Sequence, residues 1–80
     1  MMNGNFTNDR NIQIGLYIRK LRKMKDWSQE YFAEKIGVSR RTIVRIEKGV
    51  APMDFERIAD IAAALEISVH DILNVTQEVV

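Results

Sequence analysis

The stretch from Trp27 to Gly49 reads "WSQEYFAEKIGVSRRTIVRIEKG", and its spacing decides the fold. Two serines, Ser28 and Ser39, each precede a short helical pattern, and each pattern closes on a glycine, Gly37 and Gly49. A serine at an N-cap accepts hydrogen bonds from backbone N–H groups that the first turn leaves unpaired. A glycine adopts the left-handed conformation that ends a helix. Trp27, just before the first cap, and Phe32, in the second turn, are spaced for a hydrophobic staple. Only Gly37, Val38 and Ser39 join the two helices, so the pair can pack only at a steep angle. That crossing requires a small residue at the contact, met by Ala33, and a turn residue tolerant of positive φ, met by Gly37. It also requires a compact apolar inner face on the second helix, met by Ile43 and Ile46. Phe32, Ile36 and Val38 close the small core.

In register with both caps, this set is the steric signature of a helix-turn-helix. With Ile43 and Ile46 turned inward, the helical period sends Arg40, Arg41 and Arg45 outward, together with Ser39 and Thr42. The outward face carries no acid, whereas a merely solvated helix more often alternates Glu with Lys at i,i+4. The planar fork of arginine matches O6 and N7 of guanine in the major groove and also binds phosphate. Each good bidentate base contact contributes ~1–3 kcal/mol of discrimination. Three arginines on one short face therefore point to DNA.

Working outward, Ile14, Ile18, Leu21 and Met24 recur at helical spacing and predict a first helix from about Asp9 to Lys25–Asp26. Beyond Gly49, a loop holding the only proline, Pro52, leads to a fourth helix in "DFERIADIAAALE", with Phe55, Ile58, Ile61, Ala62 and Leu65 as its apolar stripe. Ser68 and Asp71 read as a capping box opening a short fifth helix, "VHDILNV". No strand-like alternation, repeat or low-complexity run is present. The expected class is all-α, five short helices. The expected organisation is a disordered tail over 1–8, one domain over 9–75 with its motif at 29–48, and a C-terminal tail over 76–80.

Eighty residues make one small domain, which buries only ~60% of the surface of its unfolded chain and so benefits from a staple or a partner. Cysteine is absent and His70 is the only histidine, so no disulfide, metal site or cofactor is implied. His70 itself reads as a solvent-facing or capping residue. No run approaches the ~18 apolar residues of a membrane span, and the first residues lack a signal-peptide core. The expected location is the cytoplasm. The net charge of +1 hides an asymmetry. From Arg10 to Lys48, eleven Lys/Arg face four Asp/Glu, a net of +7; from Gly49 onward, one faces six, a net of −5. Such a division suits a basic face offered to a polyanion and an acidic half held away from it.

The quoted stretch resembles the helix-turn-helix of the phage repressor and Cro family, the lambda repressor-like fold that includes restriction–modification controller proteins. The quoted stretch fits that pattern without a gap, and the likeness runs from about Gly15 to about Leu73. It implies that Arg40, Arg41 and Arg45 occupy base-contacting positions. Gln29 would contact the backbone and help fix a base-reading side chain, Ser39 and Thr42 would meet phosphate or thymine methyls, and Lys48 joins this backbone-contacting or supporting group. Arg22 and Glu47 match a family ion pair that ties the first helix to the third. Glu30 and Glu34 match positions at which some members touch RNA polymerase. Solvation and a favourable helix dipole account for these two acids as well.

Larger members carry a separate dimerisation domain, whereas here pairing must use the five-helix domain itself. Ile67, Val69, Ile72, Leu73, Val75, Val79 and Val80 exceed what a seven-residue helix needs for its own core. The expectation is a symmetric homodimer through helix five, its main contacts Ile67, Val69, Ile72 and Leu73. Two recognition helices ~34 Å apart would then read a pseudo-palindromic operator. The overall expectation is a sequence-specific double-stranded DNA-binding regulator, repressor or controller. An antitoxin or other protein-interaction module on the same fold is the alternative. No acid–base or nucleophile pair supports an enzyme, and no small-molecule ligand is implied.

Overall fold

A computed structural model describes residues 3–75, with side chains from Asp9 onward. Five helices follow in order: α1 Asn3–Met24, α2 Gln29–Ile36, α3 Arg40–Lys48, α4 Phe55–Leu65 and α5 Val69–Asn74. No strand occurs among the described residues. Helix α1 starts at Asn3, earlier than the Asp9 expected from the apolar pattern. That pattern marks only the part of a helix that packs, and no proline lies upstream to stop the backbone ladder.

The remaining helices start on side-chain caps. Ser28 accepts from Tyr31 N–H, Ser39 from Thr42 N–H and Asp54 from Arg57 N–H, while Ser68 and Asp71 form a reciprocal capping box. Four helix ends share one geometry, in which the residue after the helix turns left-handed and the next two N–H groups bond back into the last turn. Gly37 (φ 74°) and Gly49 (φ 81°) supply it for α2 and α3. Asp26 (φ 60°) and Glu66 (φ 62°) supply it after α1 and α4, where no glycine announces the stop. Trp27 N–H reaches Arg22 C=O at 3.2 Å and Ile67 N–H reaches Ala62 C=O at 3.0 Å, which closes these two ends.

The core joins all five helices. Ile14 and Ile18 of α1, Phe32 and Ala33 of α2, Ile43 and Ile46 of α3, Ile58, Ile61 and Leu65 of α4, and Ile72 of α5 are buried together. Full burial of each such large side chain contributes about 1.5–3 kcal/mol relative to exposure. Trp27 packs on Phe32 with ring centroids 6.0 Å apart, the staple that fixes how the chain enters α2. Helix α3 lies between α1 and α2 and is seated from both sides. The seat is unusually close at Gly15, where an added Cβ would lie 2.4 Å from the carbonyl oxygen of Ile46 and 2.8 Å from that of Glu47.

Two members of the expected apolar stripes face water. Phe55 is 69% exposed and Met24 70% exposed. Phe55 stands at the first position of α4, off the side that meets the core, and Met24 is the last residue of α1, where the apolar face has already turned away. Ile72, expected at a subunit contact, is 0% exposed and belongs to the core of its own domain. Helix α5 uses it to dock on the rest of the fold.

Candidate nucleic-acid interface

Helix α3 is held at both ends and on one side, which leaves its other side free. Ser39 caps the start, and its Oγ also lies 3.1 Å from Thr42 Oγ1. Gly49 closes the far end. Ile43 and Ile46 are buried, Thr42 and Val44 are half-buried, and Arg40, Arg41, Arg45 and Lys48 are exposed. None of these four cations has an ion-pair partner among the described residues. The helix therefore presents a row of unneutralised positive charge on a rigid, capped element.

The one acid of α3 is turned in and neutralised. Arg22 Nε donates to Glu47 Oε2 at 2.6 Å, and Arg22 Nη2 donates to Glu47 Oε1 at 3.1 Å. Arg22 Nη1 donates to the Trp27 carbonyl at 2.7 Å, which engages the third edge of the guanidinium. Gln29 Nε2 completes the group by donating to Glu47 Oε1 at 3.1 Å. Arg22 and Glu47 are 7% and 6% exposed, and no buried side-chain polar atom among the described residues lacks a partner. A buried ion pair holds only when its remaining donors and acceptors are satisfied, and here they are. The network binds α1, α2 and α3 at one point and removes a negative charge from beside the basic face.

Gln29 was expected to reach outward to a phosphate. Its Nε2 is committed to Glu47, so only its carbonyl oxygen and second N–H remain for contacts outside. It shares a cleft of ≈ 420 Å³ with Arg19, Arg22, Val44, Glu47 and Lys48, where the three helices meet. Arg19 is a residue that sequence reasoning passed over. Its signal was a basic side chain one turn before Arg22 on the same helix. Gly15 was passed over as well, although a glycine within an otherwise helical pattern marks close backbone approach.

The other expected sites are dispersed. Glu30 and Glu34 are exposed on α2, away from Glu47, around a cleft shared with Tyr31 and Arg40. Lys35 stacks over Trp27 and Tyr31, at 5.2 and 5.5 Å from the ring centroids, so one cation of this region is spent on aromatic faces. Ile67, Val69 and Leu73 are half-buried against the core at the α4–α5 junction. Val79 and Val80 lie outside the described residues, and His70 is exposed. No helix among the described residues is long and apolar enough to cross a membrane.

A helix-turn-helix family model matches residues 18–72, more than half of the chain and the whole of α2 to α4. The chain belongs to the Cro/C1-type helix-turn-helix family. It is a DNA-binding transcriptional regulator of that family. Among solved structures, this helix-turn-helix protein is similar to the restriction-modification controller protein C.AhdI from Aeromonas hydrophila, at 30% identity over 76% of this chain and 92% of that one, with a TM-score of 0.72. It is similar to the biofilm master regulator SinR, solved in complex with DNA, at 33% identity over 75% of this chain and 97% of that one, TM-score 0.69. The clp gene regulator ClgR from Corynebacterium glutamicum matches at 27% identity over 82% and 70% of the two chains, TM-score 0.77. None of the curated proteins compared by sequence matches the chain.

Proposed function

We propose that the chain acts as a homodimeric regulator that reads a pseudo-palindromic operator through α3. The observation that carries this reading is the division of charge on α3. Arg40, Arg41, Arg45 and Lys48 are exposed and unpaired, while Glu47 is buried against Arg22. In this reading Arg40, Arg41 and Arg45 meet base edges, favouring guanine. Ser39, Thr42, Lys48 and the free end of Gln29 set the register on the phosphates. Similarity to a controller protein and to a regulator solved with DNA supports the same reading.

The subunit contact is proposed at Ile67, Val69 and Leu73, the apolar strip that the core covers only in part. Pairing two copies there removes that strip from water and sets two recognition helices on one face of the duplex. Glu30 and Glu34, exposed on α2, are available to a polymerase surface once the dimer is bound.

Selection of binding sites from random duplexes tests the whole reading. The expected product is an inverted repeat with half-site centres about one helical turn apart. Enrichment of a single asymmetric site, or of none, would overturn it. Leu73→Glu is expected to give a folded monomer in sedimentation with operator affinity reduced at least about a hundredfold, because each half-site then binds alone.

A further inference from the structure

Two exposed apolar features lie outside the DNA contacts described above, and their surroundings carry opposite charge. On α1, Leu16 (54% exposed) and Met24 line a shallow, open groove of ≈ 470 Å³ along one face of the helix, together with Arg19, Lys20 and Lys23. On α4, the exposed ring of Phe55 stands between Asp54 and Glu56, both exposed. None of Lys20, Lys23 and Glu56 has an ion-pair partner among the described residues. Phe55 is 69% exposed, and burying an aromatic ring against another surface is favourable.

We propose that the two features are halves of one contact, in which Phe55 of one copy of this chain seats in the α1 groove of another. Asp54 and Glu56 then face the Lys20 and Lys23 rim. A second copy is the occupant because the same chain carries both the acid-flanked aromatic and the base-flanked apolar groove. The contact joins two different surfaces, so it is heterologous and leaves one groove and one Phe55 free for the next copy. It is separate from the symmetric pairing at α5.

A contact centred on one side chain falls below the ~1,000 Å² of a stable interface. Free copies therefore meet only weakly. Neighbouring operators raise the effective concentration, and there the contact joins one bound dimer to the next. This use on DNA rests on the proposed function, whereas the contact itself does not.

Zero-length carbodiimide crosslinking of a concentrated mixture of isotope-labelled and unlabelled chain tests the contact without DNA. The expected intermolecular products join Lys20 or Lys23 to Glu56. Phe55→Ser and Leu16→Ser, both at exposed positions, each lower that yield about tenfold, the effect of removing an interface anchor. Lys20→Glu and Glu56→Lys each abolish the link between these two positions, and mixing the two variant chains restores it. Links confined to other positions, an unchanged yield in both serine variants, or no restoration on mixing would overturn the proposal.

The second arm uses two selected sites in tandem, with spacers varied over one helical turn. Wild type is expected to fill the second site about tenfold more readily, and Phe55→Ser to lose that gain while keeping its single-site affinity. Equal cooperativity in both proteins would overturn the proposal, as would single-site binding weakened by Leu16→Ser, which would mark the groove as a DNA contact. Failure to bind any duplex would remove the proposed function and leave the crosslinking result to stand by itself.

Discussion

Helix α3 and helix α5 both start on a serine cap and both send isoleucine into the core, Ile43 and Ile46 from one and Ile72 from the other. Their outer faces differ. Helix α3 turns Arg40, Arg41, Arg45 and Lys48 to solvent, whereas α5 turns out His70, Asp71 and Asn74 and, with Ile67 just before it, leaves Val69 and Leu73 half-covered on its flank. A charged outer face suits a polyanion, whose counterions are released on binding. A half-covered apolar flank suits another apolar surface, from which water is expelled. The difference also shows how each face is maintained. The basic face of α3 depends on burying its acid in a satisfied network, while α5 needs only one isoleucine as its anchor.

The largest expected effect breaks the α3 side of this comparison. Glu47→Ala leaves Arg22 buried without a carboxylate and Gln29 without its acceptor, and is expected to lower stability by about 3–5 kcal/mol in urea unfolding. Replacing both partners, Arg22→Met with Glu47→Leu, is expected to recover most of that loss, since an apolar pair leaves no charge stranded. A loss below about 0.5 kcal/mol for Glu47→Ala, the size usual at open surface sites, would refute the seating of α3 by this network. On the α5 side, Ile72→Ala is expected to cost about 2–5 kcal/mol, the range for a large core residue cut to alanine. Leu73→Glu should instead act on association, and a reversal of these two behaviours would exchange the core and contact roles assigned to α5.

The next effect sharpens the assignment of the arginines. Arg41→Ala is expected to lose ~1–3 kcal/mol at one base-pair position and to relax specificity there. A uniform loss over all sequences, with a shallower salt dependence, would make Arg41 a phosphate contact only. The smallest effect concerns the hinge between the two regions. Glu66 ends α4 at φ 62°, a conformation that costs a side-chain-bearing residue roughly 1–2 kcal/mol. Glu66→Gly relieves that cost but frees the unfolded chain, so the net gain should be about 0.5 kcal/mol, a rise of roughly 2–4 °C in Tm.

These outcomes separate what was legible in the residues from what was not. The caps Ser28, Ser39 and Ser68, the stops Gly37 and Gly49, and the Ala33–Gly37–Ile43 spacing are local signals. Each depends on a few neighbouring backbone groups, so helices α2, α3 and α5 could be drawn before any packing was known. The exposed arginines followed from the helical period once Ile43 and Ile46 were assigned inward. The helix ends near Asp26 and Glu66 were legible in the pattern, whereas the left-handed turn at these two positions was not, because no glycine marks it. There the surrounding packing, not the residue, imposes the turn.

Packing alone made the remaining decisions. An isoleucine on α5 has the same chemistry whether it meets its own core or another subunit, and only the position of α5 against α1 and α4 sends Ile72 inward. Phe55 reads as core on its helix and stands in water because α4 begins there at the edge of the domain. Gly15 acquires its role from the carbonyls of α3, thirty-one and thirty-two residues away in the chain. Gln29 is drawn to Glu47 only because three helices converge on one carboxylate. Local backbone chemistry thus specifies the helices, their ends and the charge they display. Which faces are covered, and which remain for DNA or for a second copy, is settled by contacts between residues far apart in sequence, where burial and steric fit outweigh the preference of any single residue.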